Sequence, residues 1–267
     1  MTPSYFGRSE RQLLGIHHPP RGRQAWDFAV LLLYPAPQEY MRAHWAFRRL
    51  ATQLAREGVA CLRFDYSGTG DSAGALADAT AAHWLEDIAT AGEELADLAG
   101  VSRLSLVGFR LGATLAAHAA RATAGAGAGG RLRDLVLWEP VVQGARHLEE
   151  LRALEARQAA ESRTPRRATP GVEELLGFEL APPLRDSIAA LDLLALPPPP
   201  AERTLLAVSE ESPDARALQR HWEAGGAMVD CQLVREEGGG DASQVGSAML
   251  GSRILQEIVS SLTRRAA

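Results

Sequence analysis

A rhythm in the chain limits its folding options more than any other feature. Short apolar runs of strand length alternate with longer stretches of helical periodicity. The runs at 28–33, 60–64, 104–107, 135–138, 204–208 and 231–234 are nearly continuous in apolar residues, as strands buried on both faces must be. Between them, Phe47, Leu50, Ala51 and Leu54 line one helix face, with Gly58 as a stop signal. Trp84, Ile88, Ala91, Leu95 and Leu98 line a second face, and helices are expected at 111–122, 213–224 and 253–262. Residues 4–18 read as an N-terminal strand or hairpin ending at Pro19-Pro20. Alternation of this kind implies an α/β fold, a mostly parallel central sheet flanked by helices.

Two stretches break the rhythm. Residues 123–130 form a Gly/Ala run, expected to be a mobile loop. Residues 143–195 form an Arg/Glu-rich insertion of helical character, interrupted by Pro165, Pro170 and Pro182-Pro183 and followed by a proline run at 197–200. The expected organisation is a core of 1–142 and 196–267 with a helical cap at 143–195. Such an insertion would sit over the carboxyl ends of the strands, where ligands bind in open α/β sheets. A surface decoration is the plainer alternative.

Composition narrows the function classes. A chain of 267 residues with 46% hydrophobic content suits one sizeable core. No apolar window is long enough for a membrane span, and residues 1–12 lack the apolar stretch of a secretory signal. Cys61 and Cys231 are too few for a disulfide framework, so two reduced thiols in the cytoplasm are expected. A net charge of −5 gives no footprint for nucleic acid. The chain has no Lys: all 28 basic residues are Arg, which removes Schiff-base chemistry and a phosphate-loop lysine. The 7 His include no H-E-x-x-H pair, and no G-x-G-x-x-G opens a helix after the first long strand. Neither a metal nor a cofactor is expected.

Four segments carry a resemblance. Leu31-Leu32-Leu33-Tyr34-Pro35 reads as a strand and the loop after it. Asp65-Tyr66-Ser67-Gly68-Thr69-Gly70-Asp71-Ser72 has the form Asp-x-x-Gly-x-Gly-x-Ser. Gly108-Phe109-Arg110-Leu111-Gly112 stands between a strand and a helix, and the strand at 204–208 is followed by an acidic loop. In order and spacing this resembles the α/β-hydrolase superfamily. The resemblance implies a nucleophile at the centre of the G-x-S-x-G elbow, a general-base His after the last strand, and an orienting acid.

The residues depart from that chemistry. The elbow centre is Arg110, a permanent cation with no lone pair to donate to a carbonyl. From Cys231 onward there is no His, and the loop where one is expected runs from Glu236 to Val245. An acid survives as Glu210, Glu211 or Asp214, but without a His it has nothing to orient. Gly70-Asp71-Ser72-Ala73-Gly74 satisfies G-x-S-x-G literally, but it does not open an apolar helix and is expected to brace its own loop.

Arg110 has two readings. It either clamps a carboxylate or enolate-like oxygen at a helix N-terminus, or pairs with an acid such as Glu139 or Glu210 to hold loops together. The resemblance places an oxyanion donor at the backbone amide of Leu111. Topology nominates Tyr34, Pro35, Gln38, Glu39 and Met41 in the loop after the first long strand, Phe109 and Leu111 beside the elbow, and Trp138, Glu139 and Val245 at later strand ends. Glu39 is a candidate general base, because a carboxylate beside an apolar cleft is harder to ionise.

Loss of both nucleophile and His, chain length and an Arg/Ala-rich composition make the chain similar to the triad-lacking peptide epimerases of the bottromycin pathway. That likeness implies a modified peptide in the cleft under the cap, with an aspartate α-proton beside a thiazole or thiazoline removed and returned. Two alternatives stay open: an inactive hydrolase-fold protein that binds a peptide or acyl ligand, and a hydrolase with a relocated triad using Ser67 or Ser72. No nucleic-acid or membrane partner is expected.

Overall fold

The computed structural model describes residues 1–21, 26–125, 132–161, 173–235 and 250–264. Eight strands form one sheet: β1 (Thr2–Arg8), β2 (Arg11–His18), β3 (Phe28–Leu33), β4 (Ala60–Phe64), β5 (Arg103–Phe109), β6 (Leu132–Trp138), β9 (Ala201–Val208) and β10 (Val229–Leu233). A small hairpin supplies β7 (Glu174–Leu175) and β8 (Phe178–Glu179). The sheet order is β1-β2-β4-β3-β5-β6-β9-β10. Only β1 with β2, and β2 with β4, run antiparallel; every other pair is parallel.

The helices are α1 (Pro37–Arg56), α2 (Ala81–Ala99), α3 (Leu111–Gly125), α4 (Gly144–Glu161), α5 (Pro182–Ala189), α6 (Pro213–Ala224) and α7 (Ser252–Thr263). Their packing flanks the sheet, with α1 against α7 and α2 against α3. All of β3 and all of β4 are buried, which explains the unbroken apolar run of β3 and the nearly continuous one of β4, where only Arg63 is polar. Local chemistry sets the helix ends. Ser212 caps α6 by accepting from the Ala215 amide at 3.3 Å, and Pro213 occupies the first turn, where its missing N–H costs nothing. Gly100 ends α2 in the left-handed conformation at φ 64°.

The hairpin expected at 4–18 is β1–β2, and the helix expected at 213–224 is α6 to the residue. Pro182-Pro183 does not interrupt a helix. It opens α5, for the reason Pro213 opens α6. In the Gly/Ala run, residues 123–125 complete α3, and 126–130 lie outside the described residues.

The excursion between β6 and β9 leaves and returns at one point. The Gly144 amide donates to Leu191 O at 2.8 Å, the Leu193 amide to Val142 O at 2.9 Å, and the Gln143 side chain to Asp192 at 3.1 Å. A Cβ at Gly144 would lie 1.8 Å from Ile188 O, so this neck admits only glycine. Beyond it α4 packs on α5, and α5 reaches α2 and the turn at Leu76–Asp78.

Candidate functional site

The site is built on the turn from β5 to α3. Arg110 sits at its apex with φ 53°, a conformation that costs a side-chain-bearing residue about 1 kcal/mol. The two glycines make the turn possible. A Cβ on Gly108 would lie 2.2 Å from Gly112 O, and one on Gly112 would lie 2.3 Å from the carbonyls of both Leu33 and Tyr34. The turn is also tied to β6: the Arg110 amide donates to Trp138 O at 2.9 Å, and the Thr114 hydroxyl donates to Val141 O at 2.5 Å. The sharp elbow is therefore intact, with a guanidinium at the position from which a nucleophile would attack.

The Arg110 Nε donates to Glu39 Oε1 at 3.0 Å, with both side chains mostly buried. This corrects the expectation of Glu139 or Glu210 as the partner: the first turn of α1 brings Glu39 across the mouth of the elbow. The two Nη groups of Arg110 have no hydrogen-bond partner among the described residues. Nor does the Leu111 amide, one of the N-terminal helix donors that have no acceptor within the helix. The second oxygen of Glu39 is buried without a partner. Burial raises the Glu39 carboxyl above the usual carboxylate range, and the charge of Arg110 offsets this only in part.

A cavity of about 180 Å³ opens beside Arg110, lined also by Glu139, Val142, Arg146, His147 and Asp214. Glu139 is a second non-glycine residue in the left-handed region, at φ 47°. Its amide donates to Ala207 O at 2.9 Å and its carboxylate accepts from the Ser209 amide. Burial raises its carboxyl, opposed by the Ser209 hydrogen bond and by Arg110. Backbone strain at two facing strand ends is the kind of feature that collects at working sites. Arg146 and Asp214 pair at 2.8 Å along the cavity wall.

His147 lies one turn beyond the neck, on α4, and is 3% exposed. Neither ring nitrogen has a partner. Burial first, and the charge of Arg110 second, push its pKa down to about 3, so the ring is neutral at pH 7. Sequence reading passed over His147. The available signal was its place early in the insertion, just after a strand end that already held Glu139 and Pro140.

The other nominated residues separate into two groups. Tyr34 is core: it is 2% exposed, stacks on Phe47 and accepts from Arg63 through its hydroxyl. Pro35 is buried, and Phe109 packs on Trp138 with ring centroids 4.6 Å apart, both deep in the core. Leu111 is buried, so it offers its amide and not its side chain. Gln38 and Glu39 do not lie in a loop, because Pro37 already opens α1. Gln38 has a buried, unpartnered side-chain oxygen. Met41 points to solvent at 76% exposure. Val245 lies outside the described residues.

Of the acids after β9, Glu211 pairs with Arg216 and Asp214 with Arg146, while Glu210 is exposed. Ser67 donates to Asp87 at 2.7 Å. Ser72 donates to Asp65 O at 2.6 Å and accepts from the Leu14 amide at 2.9 Å. No hydroxyl among the described residues is hydrogen-bonded to a histidine ring. None of the described residues forms a group fit for a metal ion, and no helix among them is long and apolar enough to cross a membrane.

Residues 40–175, just over half of the chain, match the Hydrolase_4 family, described as serine aminopeptidase, S33. The chain belongs to this family. The mitochondrial palmitoyl-protein thioesterase ABHD10 of Homo sapiens is 43% identical to this S33-family chain over 63 residues. That match spans 24% of this chain and 19% of the human protein's length. Among solved structures, mouse alpha/beta hydrolase domain-containing protein 10 is similar at TM-score 0.61 and 20% identity, covering 98% of this chain and 97% of that one. Est1E from Butyrivibrio proteoclasticus, solved with ferulic acid, is similar at TM-score 0.64 and 15% identity, covering 97% of this chain and 96% of that one. At such identities the structures establish the α/β-hydrolase fold and no more.

Proposed function

We propose that this S33-family chain is a non-hydrolytic enzyme that holds an acidic ligand with Arg110 and moves a proton at a carbon next to it. One observation carries the reading: an intact elbow presents two unpaired guanidinium nitrogens to a cavity, where attack on a carbonyl would need a nucleophile. No His follows Cys231 to serve as the usual base. On this reading the triad is lost and the elbow serves as a cation clamp.

The substrate this suits best is a modified peptide with an aspartate beside a thiazole or thiazoline, in a bacterial natural-product pathway. The ring acidifies the adjacent Cα–H by delocalising the carbanion. Arg110 holds a substrate carboxylate, and the Leu111 amide faces the oxygen on which charge develops. Glu39, with a carboxyl reluctant to ionise, takes or returns the proton. His147, neutral and too weak a base to carry the proton, lines the cavity as a hydrogen-bond partner for the substrate, and the substrate's own carboxylate is an alternative base. The proton leaves one face of Cα and returns to the other, with no net redox change. The excursion 143–195 acts as a cap that carries His147 to the cavity. Cys61 and Cys231, both free thiols, suit a reducing cytoplasm.

A role in binding without chemistry is favoured by one feature, the existing Arg110–Glu39 pair, which occupies the candidate base. Hydrolysis through Ser67 or Ser72 has no such support, since both hydroxyls are engaged away from any imidazole.

The test is incubation of a thiazole-containing Asp peptide with the enzyme in D₂O. Deuterium at Cα together with a second diastereomer is the expected result. A thermal shift without exchange means a binder. Fluorophosphonate labelling, or rapid turnover of an aryl ester or a palmitoyl thioester, overturns the proposal.

A further inference from the structure

The geometry points to a second anion site, a cavity of about 200 Å³ bordered by His18, Arg21, Arg48 and Thr52, suited to a phosphate group. It shares no lining residue with the elbow cavity. Arg48 and Thr52 lie nine and thirteen residues beyond Glu39 on α1, roughly 14 to 20 Å along the helix. Phosphate binding there does not depend on the reaction proposed at the elbow.

Arg63, a cation on β4, is 3% exposed. Its Nε donates to His18 Nε2 at 3.1 Å and its Nη1 to the Tyr34 hydroxyl at 3.0 Å, with His44 Nε2 at 3.5 Å. With the Met1 Sδ at 3.9 Å from Nη2 there are four partners, all uncharged, and no carboxylate among the described residues lies within ion-pair distance, although the Asp65 charge acts on the same Tyr34 and His44 rings. A buried charge without a counter-charge is costly unless something nearby supplies one.

His18 passes this demand outward. Burial and the charge of Arg63 lower its pKa to about 4, so the ring is neutral at pH 7. A neutral imidazole that accepts at Nε2 carries its proton on Nδ1. That N–H has no acceptor among the described residues, and His18 borders the cavity. Arg21 and Arg48 stand at the same cavity, and neither has an acidic partner among the described residues. Their charges act on the neighbouring rings in the same sense, Arg21 on His18 and Arg48 on His44. Two free guanidinia and a neutral N–H donor, with a buried third guanidinium behind, match a doubly charged phosphate better than a single carboxylate. The volume leaves room for a small organic group attached to it.

Calorimetric titration of the full chain with inorganic phosphate, at constant ionic strength set with chloride, tests this. Saturable binding and a matching rise in Tm are expected. The double variant Arg21→Gln with Arg48→Gln, at exposed positions that leave the fold intact by circular dichroism, is expected to bind at least ~10-fold more weakly. Arg110→Gln is expected to bind phosphate as tightly as the native chain. The absence of saturable binding, unchanged binding in the double variant, or loss of binding in Arg110→Gln overturns the assignment.

Discussion

Ser72 and Arg110 each stand at the centre of a Gly-x-X-x-Gly pentad, and the two pentads do opposite work. In Gly70-Asp71-Ser72-Ala73-Gly74 the central hydroxyl is spent on the protein: it donates to Asp65 O at 2.6 Å and accepts from the Leu14 amide at 2.9 Å. In Gly108-Phe109-Arg110-Leu111-Gly112 the central side chain uses one nitrogen, on Glu39, and leaves two beside a cavity. The second glycines differ as well. Gly112 faces two backbone carbonyls at 2.3 Å, whereas the nearest atom to a Cβ on Gly74 is at 3.5 Å. One pattern thus builds a brace and the other a platform. What separates them is how much hydrogen-bonding capacity the centre keeps for a ligand.

The largest expected effect breaks the platform. Gly112→Ala places a methyl group against Leu33 O and Tyr34 O, and α3 must move off β3 to admit it. Unfolding free energy, from urea titration, is expected to fall by about 3 kcal/mol or more. Gly74→Ala meets only ordinary van der Waals contact with Gly68 and pays for its φ of 98°, so about 1–2 kcal/mol is expected. Equal losses would mean the two turns are equally crowded.

Acid sharpens the contrast between the two buried imidazoles and the solvent. His147, held down to about 3, and His18, held down to about 4, are neutral in the folded chain but protonate near 6.5 when it unfolds. The unfolded state therefore binds more protons below about pH 6.5, and the stability these rings contribute is lost as pH falls through that value. Each adds a slope approaching ~1.4 kcal/mol per pH unit between about 6.5 and 4. His147→Gln is expected to remove one of these two contributions. Urea titrations at pH 7, 6 and 5 that give native and variant chains the same slope would contradict the buried, unpaired placement of His147.

Ser72→Ala probes the brace. It leaves Asp65 O and the Leu14 amide without their partner at a buried position, which costs about 2 kcal/mol. Deuterium exchange on the peptide substrate is expected to persist in whatever fraction stays folded. A variant of native stability that has lost exchange would make Ser72 part of the chemistry.

The difference between these pentads was legible in the sequence only where it depends on neighbours along the chain. The apolar runs, Gly58, Ser212-Pro213 and the pentad spacings announce strands, helix ends and the elbow, because those are local physics. Pro37 was an equally local signal that α1 starts early, and it places Gln38 and Glu39 on a helix. The identity of the acid that meets Arg110 was not local. Glu39 lies 71 residues away and reaches the elbow only because α1 starts beside it. His147 was hidden for the same reason, since an imidazole on an Arg/Glu-rich helix shows no sign of facing inward until the neck at Gly144 turns it. Arg63, inside the apolar run 60–64, carries no local sign of the partners it meets. Its network joins β2, β4, α1 and Tyr34 just past the end of β3, a grouping only the sheet order creates.

The smallest effect on stability is the most informative about the platform. Arg110→Gln keeps the left-handed strain and removes a mostly buried ion pair, at a cost held to about 1 kcal/mol because Glu39, already reluctant to ionise, takes up a proton when its cation goes. Arg110→Gly removes the same pair and also relieves the strain, by about 1 kcal/mol. The glycine variant is therefore expected to match or exceed the glutamine variant in unfolding free energy, with both within about 1 kcal/mol of the native chain. An arginine that merely held loops together would behave otherwise, since both replacements would unfold the elbow alike. If the apex is instead kept strained for a ligand, both variants fold normally and lose affinity for an acidic peptide. A loss of several kcal/mol in either variant would make Arg110 a brace like Ser72 and dissolve the distinction between the two turns.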